Sequence, residues 1–250
     1  MTDQNWYESF FEDAYLDVQR QVWPDEETKK QAEFIRNVFE LEAGAKILDV
    51  PCGNGRLTIP LAEAGYDMTG VDFTEPLLND ARHAARERSL DITWEKRDMR
   101  QLPWKEQFDA AICMGGSFGY FDDNGNMEHL KAICAAVKMG GKFMMDLHIA
   151  ETLLPKYEKR NWLKIGDIYV LDERGYDLEN SRITSKWTFV KDGRISSRES
   201  SVRIYTYRQL CRLLRCVGFG GYKAYANIKG DEFKFGSPRL FMSAVKIGLK

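Results

Sequence analysis

Apolar side chains recur at three- and four-residue intervals through Trp6, Phe10, Phe11, Tyr15 and Val18, which predicts one amphipathic helix over residues 6–21. A second helical run extends from Glu26 to Leu41. Beyond Gly44 the pattern changes to short apolar runs separated by helical stretches. Lys46–Val50 predicts a buried strand, Arg56–Ala64 a helix stopped by Gly65, and Met68–Val71 a second strand closed by Asp72. The next helix has Thr74 as its candidate amino-terminal cap and Pro76 in its first turn, and continues through Ala81, Ala84 and Ala85. Ile92–Lys96 and Phe108–Met114 read as the third and fourth strands, Met127–Lys138 as a helix, Met139–Gly141 as a turn and Lys142–Leu147 as the fifth strand.

From Glu151 to Tyr205 the alternation shortens to a period of two. Strands are expected at Asp167–Leu171, Arg182–Val190 and Arg194–Tyr205, the last two joined by a Lys191-Asp192-Gly193-Arg194 hairpin. Thr206-Tyr207-Arg208-Gln209 then opens a helix as a capping box, Gly218 ends it, and Tyr222–Ile228 and Pro238–Lys246 supply two closing strands. The expected architecture is α/β: a doubly wound, seven-stranded, mostly parallel sheet with an antiparallel β insertion between the fifth strand and the last helix. Residues 1–150 hold the amino-terminal helices and the ligand-binding core, 151–205 a lid or dimerisation insertion, and 206–250 the last helix and closing strands.

The chemistry concentrates in Pro51-Cys52-Gly53-Asn54-Gly55, a turn in which residues lacking a side chain let backbone approach a ligand. Asp72 closes the second strand, where a carboxylate accepts hydrogen bonds from ribose hydroxyls. A dinucleotide site would need a third glycine where Thr58 stands, and a phosphate-cradling loop would need a lysine after the glycines; neither is present. The expected ligand has an adenosine end and no phosphate chain.

With Asp49, Cys52, Gly53 and Gly55 in place, the turn resembles the first motif, D-x-G-C-G-x-G, of class I S-adenosylmethionine-dependent methyltransferases, a Rossmann-like family. Pro51 departs from it, standing where the first glycine usually is, and can contribute only its carbonyl. The resemblance implies S-adenosyl-L-methionine as cofactor, with Phe73 and Leu77 bordering its adenosine, Asp98 accepting from the adenine amine, and the Met99 amide meeting a ring nitrogen. Met114 is placed on the cofactor side at the end of the fourth strand. Gly115, Ser117, Phe118 and Tyr120 become substrate-side candidates, and Tyr7 or Tyr15 lid contacts. The family's base-amine tetrapeptide N-P-P-Y has no counterpart here. Cys52 belongs to the glycine turn, so covalent catalysis by it is not expected. His148, at the end of the fifth strand, and Tyr120 are the candidates for a general base.

With 250 residues, 44% of them hydrophobic and 12% aromatic, the chain can bury one core with an embellishment. Its five cysteines are odd in number and show no C-x-x-C spacing, so neither a disulfide framework nor a zinc site is expected, and no metal is assigned. The acidic first residues and the lack of a long apolar run point to a soluble cytoplasmic protein without membrane contact. The net charge of −2 hides opposite halves: residues 1–150 hold 16 Lys+Arg against 27 Asp+Glu, and residues 151–250 hold 20 against 11. The positive charges are scattered rather than clustered, so nucleic acid is not the expected partner. Trp162, Tyr169, Tyr176, Trp187 and Phe189 interleave with Arg and Lys in the insertion, suggesting either an acceptor with an apolar body or the insertion's own core. The expectation is a methyl transfer by in-line displacement to a small molecule through nitrogen or oxygen rather than carbon, with a homodimer as an option. The alternatives are an RNA or protein methyltransferase docking through the basic half, aminopropyl transfer with Asp122 and Asp123 as its acids, and a noncatalytic adenosyl-binding partner protein.

Overall fold

The computed structural model describes residues 5–249. In chain order its elements are α1 (Tyr7–Phe10), α2 (Ala14–Gln21), α3 (Asp25–Phe39), β1 (Lys46–Asp49), α4 (Thr58–Glu63), β2 (Asp67–Asp72), α5 (Glu75–Glu87), β3 (Thr93–Lys96), β4 (Phe108–Cys113) and α6 (Asp123–Ala136). They continue with β5 (Val137–Leu147), α7 (Ala150–Leu153), β6 (Arg160–Ile165), β7 (Ile168–Asp177), β8 (Arg182–Lys191), β9 (Arg194–Arg203), α8 (Tyr207–Val217), β10 (Phe219–Tyr225) and β11 (Leu240–Lys246).

Seven strands form one sheet in the order β10-β11-β5-β4-β1-β2-β3, parallel except that β11 runs antiparallel to both β5 and β10. Successive residues of each strand point to opposite faces, so the sheet carries two cores. Leu48, Ala111, Phe143 and Met145 pack with Leu130, Ile133, Leu210 and Leu214 of α6 and α8. Ile47, Ala110, Ile112 and Met144 pack on the other side with Phe34, Ile35, Phe39 and Leu61 of α3 and α4. β6 to β9 form a separate antiparallel sheet in sequential order. Val18 of α2 joins Ile165, Ile168, Val170 and Phe189 in its small core. Among the described residues no helix is long and apolar enough to cross a membrane.

Several boundaries differ from the periodicity. The expected helix over 6–21 is two helices, because Asp13 takes φ 49° between them, and its carboxylate is held by Arg198 of β9. β6 was not foreseen: five of its six residues are exposed, so no alternation marks it. Thr74 stands at the amino-terminal cap of α5 without a capping side-chain bond; its amide instead donates to Asp72 Oδ1 at 2.8 Å. α6 begins four residues early because the Asp122 carboxylate caps it, accepting from the Gly125 amide at 2.7 Å. β5 starts at Val137 and runs through the expected turn, with Gly140 at φ 76°. The Thr206–Gln209 capping box forms, and Gly218 closes α8 at φ 106°.

Candidate functional site

β1 pairs with β2 on one side and with β4 on the other, so the loops leaving the carboxyl ends of these strands diverge and open a crevice. A cavity of about 280 Å³ occupies it, close to the lower bound for small-molecule sites. Its floor is the loop after β1. The Val50–Pro51 peptide is cis, the Cys52 amide donates to the Val71 carbonyl at 2.8 Å, and Gly53, at φ 56°, donates its amide to Asp72 Oδ2 at 2.8 Å. Pro51, Cys52, Gly53 and Asn54 all line the cavity. Gly55 does not. It faces away from the cavity, where an added Cβ would sit 2.7 Å from the Trp94 ring, so its lack of a side chain serves packing against β3 rather than ligand approach.

Three carboxylates meet the cavity from consecutive strands. Asp49 is fully buried; its desolvation pushes its pKa up to about 7, although the Thr58 hydroxyl donates to it at 2.6 Å. Asp72 accepts the Gly53 and Thr74 amides, one on each oxygen, and burial still raises its pKa above the ordinary range. Each oxygen keeps a lone pair for a ligand hydroxyl. Asp98, partly desolvated, is nonetheless held below the usual carboxylate range by Arg100, whose guanidinium grips it at 2.6 to 3.1 Å and whose amide donates at 2.8 Å. Phe73, Leu77, Met99 and Met114 border the same space.

Arg56 escaped the sequence reading. It sits over the Trp23 ring at 4.3 Å, and its guanidinium makes a long hydrogen bond of 3.4 Å to the Thr28 hydroxyl. Desolvation lowers its pKa to about 10, yet it remains a cation on the cavity wall. The floor therefore offers acceptors for a ribose diol and an adenine amine, and a donor-rich cation for a carboxylate, which fits the polar ends of S-adenosylmethionine.

The opposite wall is built by distant pieces of chain. Tyr7, Phe11, Tyr15, Val18, Gln19 and Trp23 come from the amino-terminal segment, Leu163, Ile165 and Trp187 from the second sheet, and Gly115, Ser117, Tyr120 and Phe121 from the loop after β4. The amino-terminal residues were legible only as an apolar stripe, and nothing local in β6 or β8 marks Ile165 or Trp187 as cavity residues. Phe189 lies in the second sheet's core, whereas Trp162 and Tyr169 point to solvent.

Besides Gly55, two sequence candidates lie elsewhere. Phe118 is buried away from the cavity, its ring packed against His129 and Tyr205, because Gly115, Gly116 and Gly119 take positive φ and the loop folds back between them. His148 does not line the cavity. It stays exposed beside Arg239; partial desolvation and the Arg239 guanidinium at 3.3 Å lower its pKa to about 4. Tyr120 does face the cavity, but burial raises its phenol pKa far above the ordinary value, so its proton is held.

Residues 47–141 match the family model of a methyltransferase domain. The chain is similar to "Putative methyltransferase YqeM" of Bacillus subtilis (strain 168), with 27% identity over 80% of this chain and 84% of that one. It is similar also to glycine N-methyltransferase of Rattus norvegicus, with 31% identity over 40% of this chain and 39% of the relative. Among solved structures, an S-adenosylmethionine-dependent methyltransferase from Clostridium acetobutylicum ATCC 824 superposes with a TM-score of 0.78 at 20% identity, covering 88% of this chain and 92% of that one.

Proposed function

Because this chain is a class I S-adenosylmethionine-dependent methyltransferase, we propose that it methylates a small molecule through a nitrogen or oxygen nucleophile. The observation that carries this reading is the division of the cavity, whose charged groups gather on the strand ends while aromatic and aliphatic side chains roof the remainder. The bound cofactor supplies an activated methyl on a sulfonium with a neutral thioether leaving group. Of the residues lining the cavity, Asp72 would hold the ribose hydroxyls, Asp98 and the Met99 amide the adenine, with Phe73 and Leu77 flanking it, and Arg56 the amino-acid carboxylate. The rest is positioning: an acceptor held in line at about 3 to 3.5 Å needs no further chemistry from the protein to gain most of the rate.

Residues 151–205 serve in this reading as a lid, since Leu163, Ile165 and Trp187 close the roof. The space is a small cavity roofed by the amino-terminal segment and the second sheet rather than a long groove, which favours a metabolite over RNA or protein. The glycine specificity in the name of one relative belongs to that relative. The test is calorimetric titration with S-adenosylhomocysteine, followed by mass spectrometry of S-adenosylhomocysteine formed from S-adenosylmethionine with metabolite, RNA and protein pools. Product with the metabolite pool is expected. Salt-sensitive turnover on RNA or protein alone would overturn the reading, and binding without turnover on any pool would make the chain a noncatalytic binder.

A further inference from the structure

We propose that the acceptor enters this cavity as an uncharged amine whose nitrogen attacks with its own lone pair, no side chain of the enzyme removing a proton before or during transfer. This deepens, and rests on, the methyl-transfer reading above.

The first support is where the charges lie. The charged side chains of the cavity wall are Asp49, Asp72, Asp98, Arg56 and Arg97, all from β1, β2, β3 or the residues just after them. The wall raised by the amino-terminal segment, the loop after β4 and the second sheet has none among the described residues: Phe11, Tyr15, Tyr120, Phe121, Ile165 and Trp187 set its character. An acceptor bearing a carboxylate there would lose water without gaining a partner, and burying an unpaired charge is strongly disfavoured; an ammonium, whatever the rings do for its charge, has no lone pair with which to attack the methyl carbon. The acceptor's reacting end is therefore neutral.

The second support is what can titrate. The Asp72 carboxylate lies near enough to act on Tyr15 and Tyr120, but its two oxygens are engaged by the Gly53 and Thr74 amides at the cofactor end; the other groups facing that space are the phenols of Tyr7, Tyr15 and Tyr120 and the thiol of Cys52. Burial raises all four above their ordinary values, Tyr15 to about 12, so none accepts a proton near neutrality. His148 stands beside Arg239 and does not line the cavity, and His129 is fully enclosed against Phe118 with neither ring nitrogen partnered, so no histidine is among the lining residues. Asp49 has the near-neutral value, but it sits under the glycine turn bonded to Thr58, at the cofactor end.

These two facts select the nucleophile. A neutral alcohol, phenol, thiol or carbon acid must lose a proton to become reactive, and this wall offers no base. A neutral amine need not. Its lone pair forms the new N–C bond while the S–C bond breaks and its electron pair passes to sulfur. Positive charge moves from sulfonium to nitrogen, the cofactor leaves as the neutral thioether, and the methylammonium product gives its proton to water on release. The net charge of the site is unchanged throughout, and the ring faces of Tyr15, Tyr120 and Trp187 can attend the cation at both ends of the transfer.

The experiment uses the full chain with saturating S-adenosylmethionine and a set of ring-substituted benzylamines and anilines, each with its matching phenol and benzoate. Amines are expected to be methylated at least tenfold faster than their matched phenols. Their kcat/KM should rise tenfold per pH unit up to the pKa of the particular amine, the midpoint moving from amine to amine. Phenols or benzoates turned over faster, or a midpoint fixed near pH 7 for every amine, would overturn the inference while leaving the methyltransferase reading intact. Where turnover is too slow to measure, calorimetry in the presence of S-adenosylhomocysteine decides: amines should bind at least tenfold tighter above their pKa than below it, and the reverse order defeats the proposal. Methylation of RNA or protein alone would defeat the small-molecule reading itself.

Discussion

Arg182, on β8, donates through Nη1 to the Phe121 carbonyl at 2.8 Å and through Nη2 to the Tyr120 carbonyl at 3.1 Å, while its Nε reaches the Ser201 hydroxyl at 2.7 Å. One planar guanidinium thereby ties the second sheet to the loop that carries the cavity residues Gly115, Ser117, Tyr120 and Phe121. The neighbouring Arg203 amide donates to the Gly119 carbonyl at 2.7 Å, and an added Cβ on Gly119 would lie 2.5 Å from the Arg203 carbonyl oxygen, so loop and sheet meet with no room between them.

Replacing Arg182 with Met should therefore loosen the acceptor wall and spare the cofactor floor. Acceptor KM is expected to rise about tenfold or more, the loss of one to two charge-assisted hydrogen bonds, with S-adenosylhomocysteine affinity within about twofold of wild type. Arg182→Lys should recover only part, because an ammonium cannot span both carbonyls. Steady-state kinetics with calorimetry on the three proteins checks this.

Arg56→Met should weaken S-adenosylhomocysteine by about 10- to 100-fold, the worth of a charge-assisted hydrogen bond, and leave 5′-methylthioadenosine, which lacks the amino-acid part, unaffected. Equal losses for both ligands would show that Arg56 supports the site through its stack on Trp23 and not through a carboxylate.

Gly55→Ala meets two obstacles together, the positive φ of 76° and a Cβ 2.7 Å from the Trp94 ring. A loss of about 2 kcal/mol or more is expected from overpacking and backbone strain. In the Trp94→Leu background the steric part should vanish and the backbone part persist, which denaturant melts of the double-mutant cycle can separate.

Asp49 gives stability a pH dependence of defined sign. Its folded pKa of about 7 exceeds the ordinary 3.8, so between these values the native state binds more protons than the unfolded state. Its contribution is complete below about pH 3.8 and is lost as pH rises through 7, by about 4 kcal/mol at most. Asp49→Asn should flatten that part of the stability profile, and urea melts from pH 4 to pH 8 would register it; an unchanged slope would place the titration elsewhere.

The order of strands and helices from β1 to β5 could be read from the chain, because strand and helix periodicity express how neighbouring residues share a face, and the sheet needs little else to settle its layers. The same holds for the capping box at Thr206 and Gln209, the Gly218 stop and the hairpin at Asp192-Gly193, where a local bond or a positive φ decides the conformation. The Gly53 bend and the carboxylates Asp49, Asp72 and Asp98 were legible for the same reason, since each stands at the end of a recognisable strand. The roof of the cavity was not. Val18, Ile165 and Trp187 belong to three segments far apart in sequence, and an apolar position says that it will be covered, not by what. Tertiary contacts also broke the first helix at Asp13 through Arg198, turned Gly55 toward Trp94, sent Phe118 into the core and left His148 beside Arg239. The chain alone thus determined which cofactor chemistry its strand ends could support, while only the closing of the second sheet and the amino-terminal segment over them gave the cavity a wall without charged side chains, because desolvation depends on every element that packs around a group and not on its neighbours in sequence.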